Sequence, residues 1–163
     1  VSRELIFVDT ETTGFDAQTE RLVELSWGRE TGPVNTLYFG VKEVPPHIDE
    51  LIAFTEREIS GMTSALQEFT DFFDATRGNT MVSANPPFDR SFLAENNLWL
   101  FSYRSLDIES YAMAKLRLDY VPGMKDIYEL LTARGHTLAE PRHTSWSDVM
   151  ALREAYTILR VGY

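Results

Sequence analysis

Asp9 and Glu11 stand one residue apart where an apolar run ends, in the stretch ELIFVDTETTG at residues 4–14. Side chains two apart share a face of an extended strand, so both carboxylates point one way. Two carboxylates on one face repel, and burying either is costly unless positive charge meets it. The pair therefore either faces water or holds a cation, and hard oxygens suit Mg2+ or Mn2+. The triplet alone is weak evidence: with 25 acids in 163 residues, chance supplies about one D-x-E. The chain holds a second, Asp107-Ile108-Glu109, which reads as the first-turn acids of a helix, where the helix dipole favours them.

Two further stretches carry the same chemistry. In VSANPPFD (82–89) a strand ends, two prolines turn the chain, and Asp89 stands at a helix start. Asp89 either charges that helix N-terminus or adds a third carboxylate to the pair. In HTSWSD (143–148), His143 sits on a loop and Asp148 in the first turn of the last helix. The plain reading is a surface loop. The chemical one is a proton acceptor beside a fourth carboxylate, since imidazole titrates near neutrality.

These residues need a scaffold that brings distant stretches together. Residues 4–8 read as a buried strand ending at Asp9, and 10–20 as a polar, turn-rich connection. Strands are expected at 21–30 and 34–41, joined by the hairpin signal TGP. Helical spacing follows over 48–58 and 64–76, then a short strand at 80–84 and a helix at 88–97. LWLFSY at 98–103 reads as the fifth strand, with helices at 107–117, 124–134 and 146–160. The order β-β-β-α-α-β-α-β-α-α-α predicts an α/β protein. Its sheet is mixed and five-stranded, three antiparallel strands followed by parallel additions, with helices on both faces.

Composition narrows the classes. The chain's 163 residues suit one domain, spanning 1–163, and 44% hydrophobic content predicts a packed core. No apolar run approaches the roughly 18 residues a membrane span needs, and LIFV is too short for a secretion signal. The absence of cysteine excludes disulfides and thiolate zinc sites and fits a cytoplasmic protein. A net charge of −10 argues against coating nucleic acid through many phosphate contacts. It leaves room for an enzyme that grips one nucleic-acid end through bound metal.

In order and in context, FVDTETTG, NPPFD and HTSWSD resemble the three exonuclease motifs of the DEDDh subgroup of DnaQ-like 3′→5′ exonucleases. The resemblance covers nearly the whole chain. ISGMT at 59–63 is similar to the family's hydrophobic-His-Gly-Ile-Thr stretch, with Ser60 where His is usual. Ala84-Asn85 stands where the family often has His-Asn, and Pro86-Pro87 follows. The resemblance implies a ribonuclease H-like fold and two divalent ions, Mg2+ or Mn2+. Asp9, Glu11, Asp89 and Asp148 would be the ligands and His143 the general base. It also implies that the Thr12-Thr13-Gly14 turn lines the substrate pocket, and Asn85 and Phe88 are further candidates for substrate contact. Phe15 and Phe88 could stack on a base or pack in the core. Arg142 and Lys125 could touch phosphate or be solvated charges.

The implied reaction is removal of nucleoside 5′-monophosphates from single-stranded 3′ ends. DNA is favoured over RNA, because TETTG resembles the proofreading branch more than the LEMTG of the oligoribonuclease branch. Two alternatives stand beside it: an exoribonuclease of the same family, and a non-catalytic nucleic-acid- or polymerase-binding module that kept the fold. The five intact motif residues count against the second. A polymerase or a second copy of the chain remains open as a partner.

Overall fold

The computed structural model describes residues 3–162. Five strands form one sheet in the order β3-β2-β1-β4-β5. They are β1 (Leu5–Thr12), β2 (Leu22–Arg29), β3 (Val34–Tyr38), β4 (Thr80–Ser83) and β5 (Ser105–Asp107). β1, β2 and β3 pair antiparallel, while β4 pairs parallel with β1 and β5 parallel with β4. The helices are α1 (Pro46–Ile52), α2 (Leu66–Thr76), α3 (Pro86–Glu95), α4 (Ile108–Leu116), α5 (Met124–Ala133) and α6 (Ser145–Val161). This is the expected mixed five-stranded α/β architecture and element order. Among the described residues no helix is long and apolar enough to cross a membrane.

β1 is central and covered on both faces, and so its first four residues, Leu5 to Val8, are all apolar. Ile6 and Val8 enter one core with Trp27, Phe72, Phe92 and Leu93. Phe7 enters the opposite core with Val82, Ile108, Ile127 and Leu152. A third cluster of Val23, Val41, Ile48 and Ile52 seats α1 against the end of β2.

Three expectations are corrected. β1 runs on through Thr12 rather than giving way to a turn at residue 10, because its pairing with β2 continues at Thr10–Leu25 and Glu11–Glu24. The fifth strand is Ser105–Asp107, not 98–103. The apolar run at 98–103 instead fills the core with Leu98 and Phe101. Its backbone is tied to the approach to β4: Gly78 N–H donates to the Leu100 carbonyl at 2.9 Å, and Ser102 N–H to that of Asn79 at 2.8 Å. α1 ends at Ile52 rather than near 58, because Ala53 turns left-handed at φ 50°.

Candidate active site

The sheet register fixes the first two acids. Asp9 lies opposite Ser26 and Glu11 opposite Glu24, and a register shift follows between Glu11 and Thr12. By alternation Asp9 and Glu11 share the face of Phe7, the face that α6 covers. α6 brings Asp148 in its first turn. One carboxylate oxygen from each of Asp9, Glu11 and Asp148 lies within 4.8 Å of the others. Asp9 Oδ2 is sealed from solvent and has no hydrogen-bond partner among the described residues. A buried oxygen left in this state is what a cation would complete, so the donor set fits a hard divalent ion.

Asp89 reaches the site from the other side of the sheet. Thr10 alternates to the face opposite Asp9, and its hydroxyl donates to Asp89 Oδ1 at 2.8 Å. α3 carries Asp89 in its first turn, where the helix dipole favours an acid. Asp89 stands apart from the group of three but lines the same cleft, of about 280 Å³, as Asp9, Glu11, Asp148 and His143. Phe15, Asn85 and Phe88 complete much of its wall. A larger hollow of about 370 Å³ beside Arg153 and Glu154 gathers no such set; chemistry, not size, singles out the site.

The 143–148 loop is tied to its own acid. Arg142 N–H donates to Asp148 Oδ1 at 2.9 Å, while the Arg142 guanidinium pairs with Glu140. Thr144 caps α6 by accepting from Ser147 N–H. His143 is exposed and left-handed at φ 53°, a conformation rare outside glycine but tolerated by histidine. Trp146 is half exposed at the start of α6, and Lys125, on α5, is not among the residues lining the cleft.

The proposed substrate residues divide. Asn85 and Phe88 line the cleft, as does the largely exposed Phe15. Thr12, Thr13 and Gly14 are engaged in closing their own loop. The Thr12 hydroxyl donates to the Gly14 carbonyl at 2.6 Å and that of Thr13 to Glu20 at 2.5 Å. A Cβ at Gly14 would lie 2.7 Å from the Glu20 side chain, so the room glycine leaves is already taken. Ser60 is exposed and donates to the Lys42 carbonyl.

Electrostatics follow from burial. Desolvation first, then the charges of Glu11, Asp89 and Asp148, hold Asp9 well above the usual carboxylate range. Burial, with Asp148 and Glu24 nearby, pushes Glu11 up to about 9, against the opposing pull of Arg57. Burial raises Asp89 to about 6, restrained by the Thr10 hydrogen bond. Asp148 is also raised by desolvation, against the Arg142 N–H bond. Without metal, the site resists carrying its full negative charge.

Sequence reasoning missed Glu24. It is fully buried on β2, paired with the Arg57 guanidinium and accepting from Ser145 N–H at 2.8 Å. Its signal was available: β2 reads LVELSW, apolar on both sides of the acid, as in a strand covered on both faces.

No protein-family model matches the chain. DNA polymerase III subunit epsilon of Treponema pallidum is 28% identical over 115 residues, covering 66% of this chain and 53% of that protein. The structure of Escherichia coli exonuclease I in complex with a dT13 oligonucleotide superposes with a TM-score of 0.70 at 14% identity, over 99% of this chain and 41% of that one. Brucella melitensis NrnC with bound Mg2+ superposes with a TM-score of 0.57 at 16% identity, over 98% and 73%. The chain thus spans about half the length of its curated relative and less of exonuclease I. Over 115 residues this chain is thus similar to a DNA polymerase III epsilon subunit, and it shares its fold with exonuclease I and NrnC.

Proposed function

We propose that residues 1–163 act as one metal-dependent 3′→5′ exonuclease domain. It releases nucleoside 5′-monophosphates from single-stranded ends, with DNA preferred to RNA. The observation that carries this reading is the convergence of Asp9, Glu11 and Asp148 carboxylate oxygens within 4.8 Å of one another, with a buried Asp9 oxygen left unpartnered. The preference for DNA is supported by relatives named for a DNA polymerase subunit and solved with a deoxyoligonucleotide. The first of these also makes a polymerase a partner worth testing.

Asp9, Glu11 and Asp148, with Asp89 across the cleft, would hold two divalent ions, Mg2+ or Mn2+. Once bound, such ions acidify a water and stabilise charge on the departing 3′ oxygen. His143 accepts the proton of the attacking water; its exposed loop position lets it approach from solvent. Phe15 and Phe88 flank the cleft as platforms for the terminal bases. Thr10 keeps Asp89 turned inward.

The test uses 5′-labelled single-stranded DNA and RNA of one sequence with Mg2+ or Mn2+, and EDTA as control. A ladder shortening from the 3′ end, faster on DNA and lost with EDTA, is expected. His143→Ala should slow it by about 10²–10⁴-fold. No ladder from a protein that binds Mn2+ would sink the enzyme and favour a binding module; a faster RNA ladder would reverse the preference.

A further inference from the structure

We infer that Glu24, with Arg57 as its counter-ion, is the positioning residue that sets where Asp148 stands. The inference rests on the proposed function for its purpose, but its geometry is independent of that reading. Glu24 is 0% exposed, an extreme placement for a glutamate. It lies directly opposite Glu11 on the neighbouring strand, where like charges destabilise each other. A chain that keeps an acid there must use it.

Both Glu24 oxygens are committed. Oε2 pairs with the Arg57 guanidinium, and Oε1 accepts from the backbone N–H of Ser145, the first residue of α6, at 2.8 Å. Arg57 is itself anchored, donating through its other terminal nitrogen to the Ile52 carbonyl at 3.2 Å. Two residues along β2, Ser26 shares a 2.7 Å hydrogen bond with the Ser145 hydroxyl and another with Thr36. Ser145, also 0% exposed, is thus tied to β2 through its amide and its hydroxyl. Asp148 follows one turn later, and its own bonds are to neighbours in the 142–148 segment. Beside the packing of α6 on β1, the hydrogen-bonded link between Asp148 and the β1 acids therefore runs through β2: Glu11 beside Glu24, Glu24 to Ser145, Ser145 to Asp148. Nothing else among the described residues ties α6's first amide to the sheet.

The bond can be removed without touching either acid. Proline is well tolerated at the first helical position, and Thr144 before it is already extended at φ −122°, ψ 132°. Ser145→Pro deletes the N–H and the hydroxyl; Ser145→Ala deletes only the hydroxyl. Mn2+ affinity, followed by the electron paramagnetic resonance of free Mn2+, is compared at a temperature where melting curves show each variant folded. Ser145→Pro and Glu24→Ala should bind Mn2+ about tenfold or more weakly, the scale of losing a residue that orients a ligand. Ser145→Ala and Glu24→Gln, which keep the donor and an acceptor, should stay within about threefold of the unmodified protein. A general loss of stability would not sort the four variants in this way.

Equal Mn2+ affinity in folded Ser145→Pro and Ser145→Ala would overturn the inference. So would a Ser145 amide proton in the unmodified protein lacking the downfield shift of an N–H bound to carboxylate, a measurement that needs no variant. If the unmodified protein binds Mn2+ yet cuts no strand, the proposed function falls while the Mn2+ series still decides the role of Glu24.

Discussion

The chain contains two Asp-x-Glu triplets, each at the C-terminal end of a strand, and they come to opposite ends. At 9–11 the strand continues through both acids, so they share a face and leave an oxygen without a partner. At 107–109 the strand stops at Asp107 and a helix begins. Asp107 Oδ1 accepts from Glu109 N–H at 2.9 Å and Ser110 N–H at 3.3 Å, and Oδ2 accepts the Ser110 hydroxyl. The second triplet is used up by its own backbone. What separates a candidate cation site from a helix cap is therefore the conformation of the residue between the acids, not the acids themselves.

The strongest way to break this comparison is Asp9→Asn against Asp107→Asn. On the proposed function, Asp9→Asn should lower Mg2+-dependent cleavage by about a thousandfold or more, since an amide cannot carry the charge that draws the ion. Asp107→Asn, which keeps a capping acceptor, should leave the rate within about twofold. Similar losses in single-turnover assays would erase the distinction.

A second contrast is in pH. A folded-state pKa of about 9 for Glu11, against an ordinary 4.5, means that between these values the folded protein holds a proton the unfolded chain has released. Stability then falls as pH rises through that window. In EDTA the melting temperature should drop steadily from pH 5 to 9, and added Mg2+ should restore more of it at pH 8.5 than at pH 6. Glu109, raised by burial and by Asp107 to about 7, has the same sign over a narrower window. Glu11→Gln should flatten the decline up to pH 9, and Glu109→Gln only below about 7. A flat melting curve in EDTA would contradict the account.

The smallest effect is that of the cap. Asp107→Ala should cost about 1 kcal/mol in urea unfolding, within the 0.5–2 range for N-caps, with Mn2+ affinity unchanged. A change in that affinity would show the two triplets to be coupled.

Much of the site was legible because its residues stand at element boundaries, where sequence carries local signals. The turn-forming Thr-Thr-Gly, the Asn-Pro-Pro turn and the Thr144 cap all mark such points. What was not legible depends on long-range packing. LWLFSY has a strand's composition, yet Leu98 and Phe101 are spent filling the core, and three plainer residues make the edge strand. The apolar neighbours of Glu24 signal a strand covered on both faces, but only the fold supplies its counter-ion, Arg57, from 33 residues away. Thr12-Thr13-Gly14 resembles the family's substrate turn, and the fold adds that its two hydroxyls bond within the loop, to the Gly14 carbonyl and to Glu20.

The double proline that opens α3 has a consequence for how this cleft could hold phosphate. A helix start usually offers free N–H groups to an anion. Here Pro86 and Pro87 have none, and Phe88 N–H is spent on the Asn85 carbonyl at 3.0 Å. The end of α3 is poor in amides: it keeps its dipole, which suits Asp89, but its first three residues have no N–H to lend. If the protein works as proposed, the grip on the scissile group is mineral rather than peptide, and a chelator, more than added salt, is what would empty the cleft.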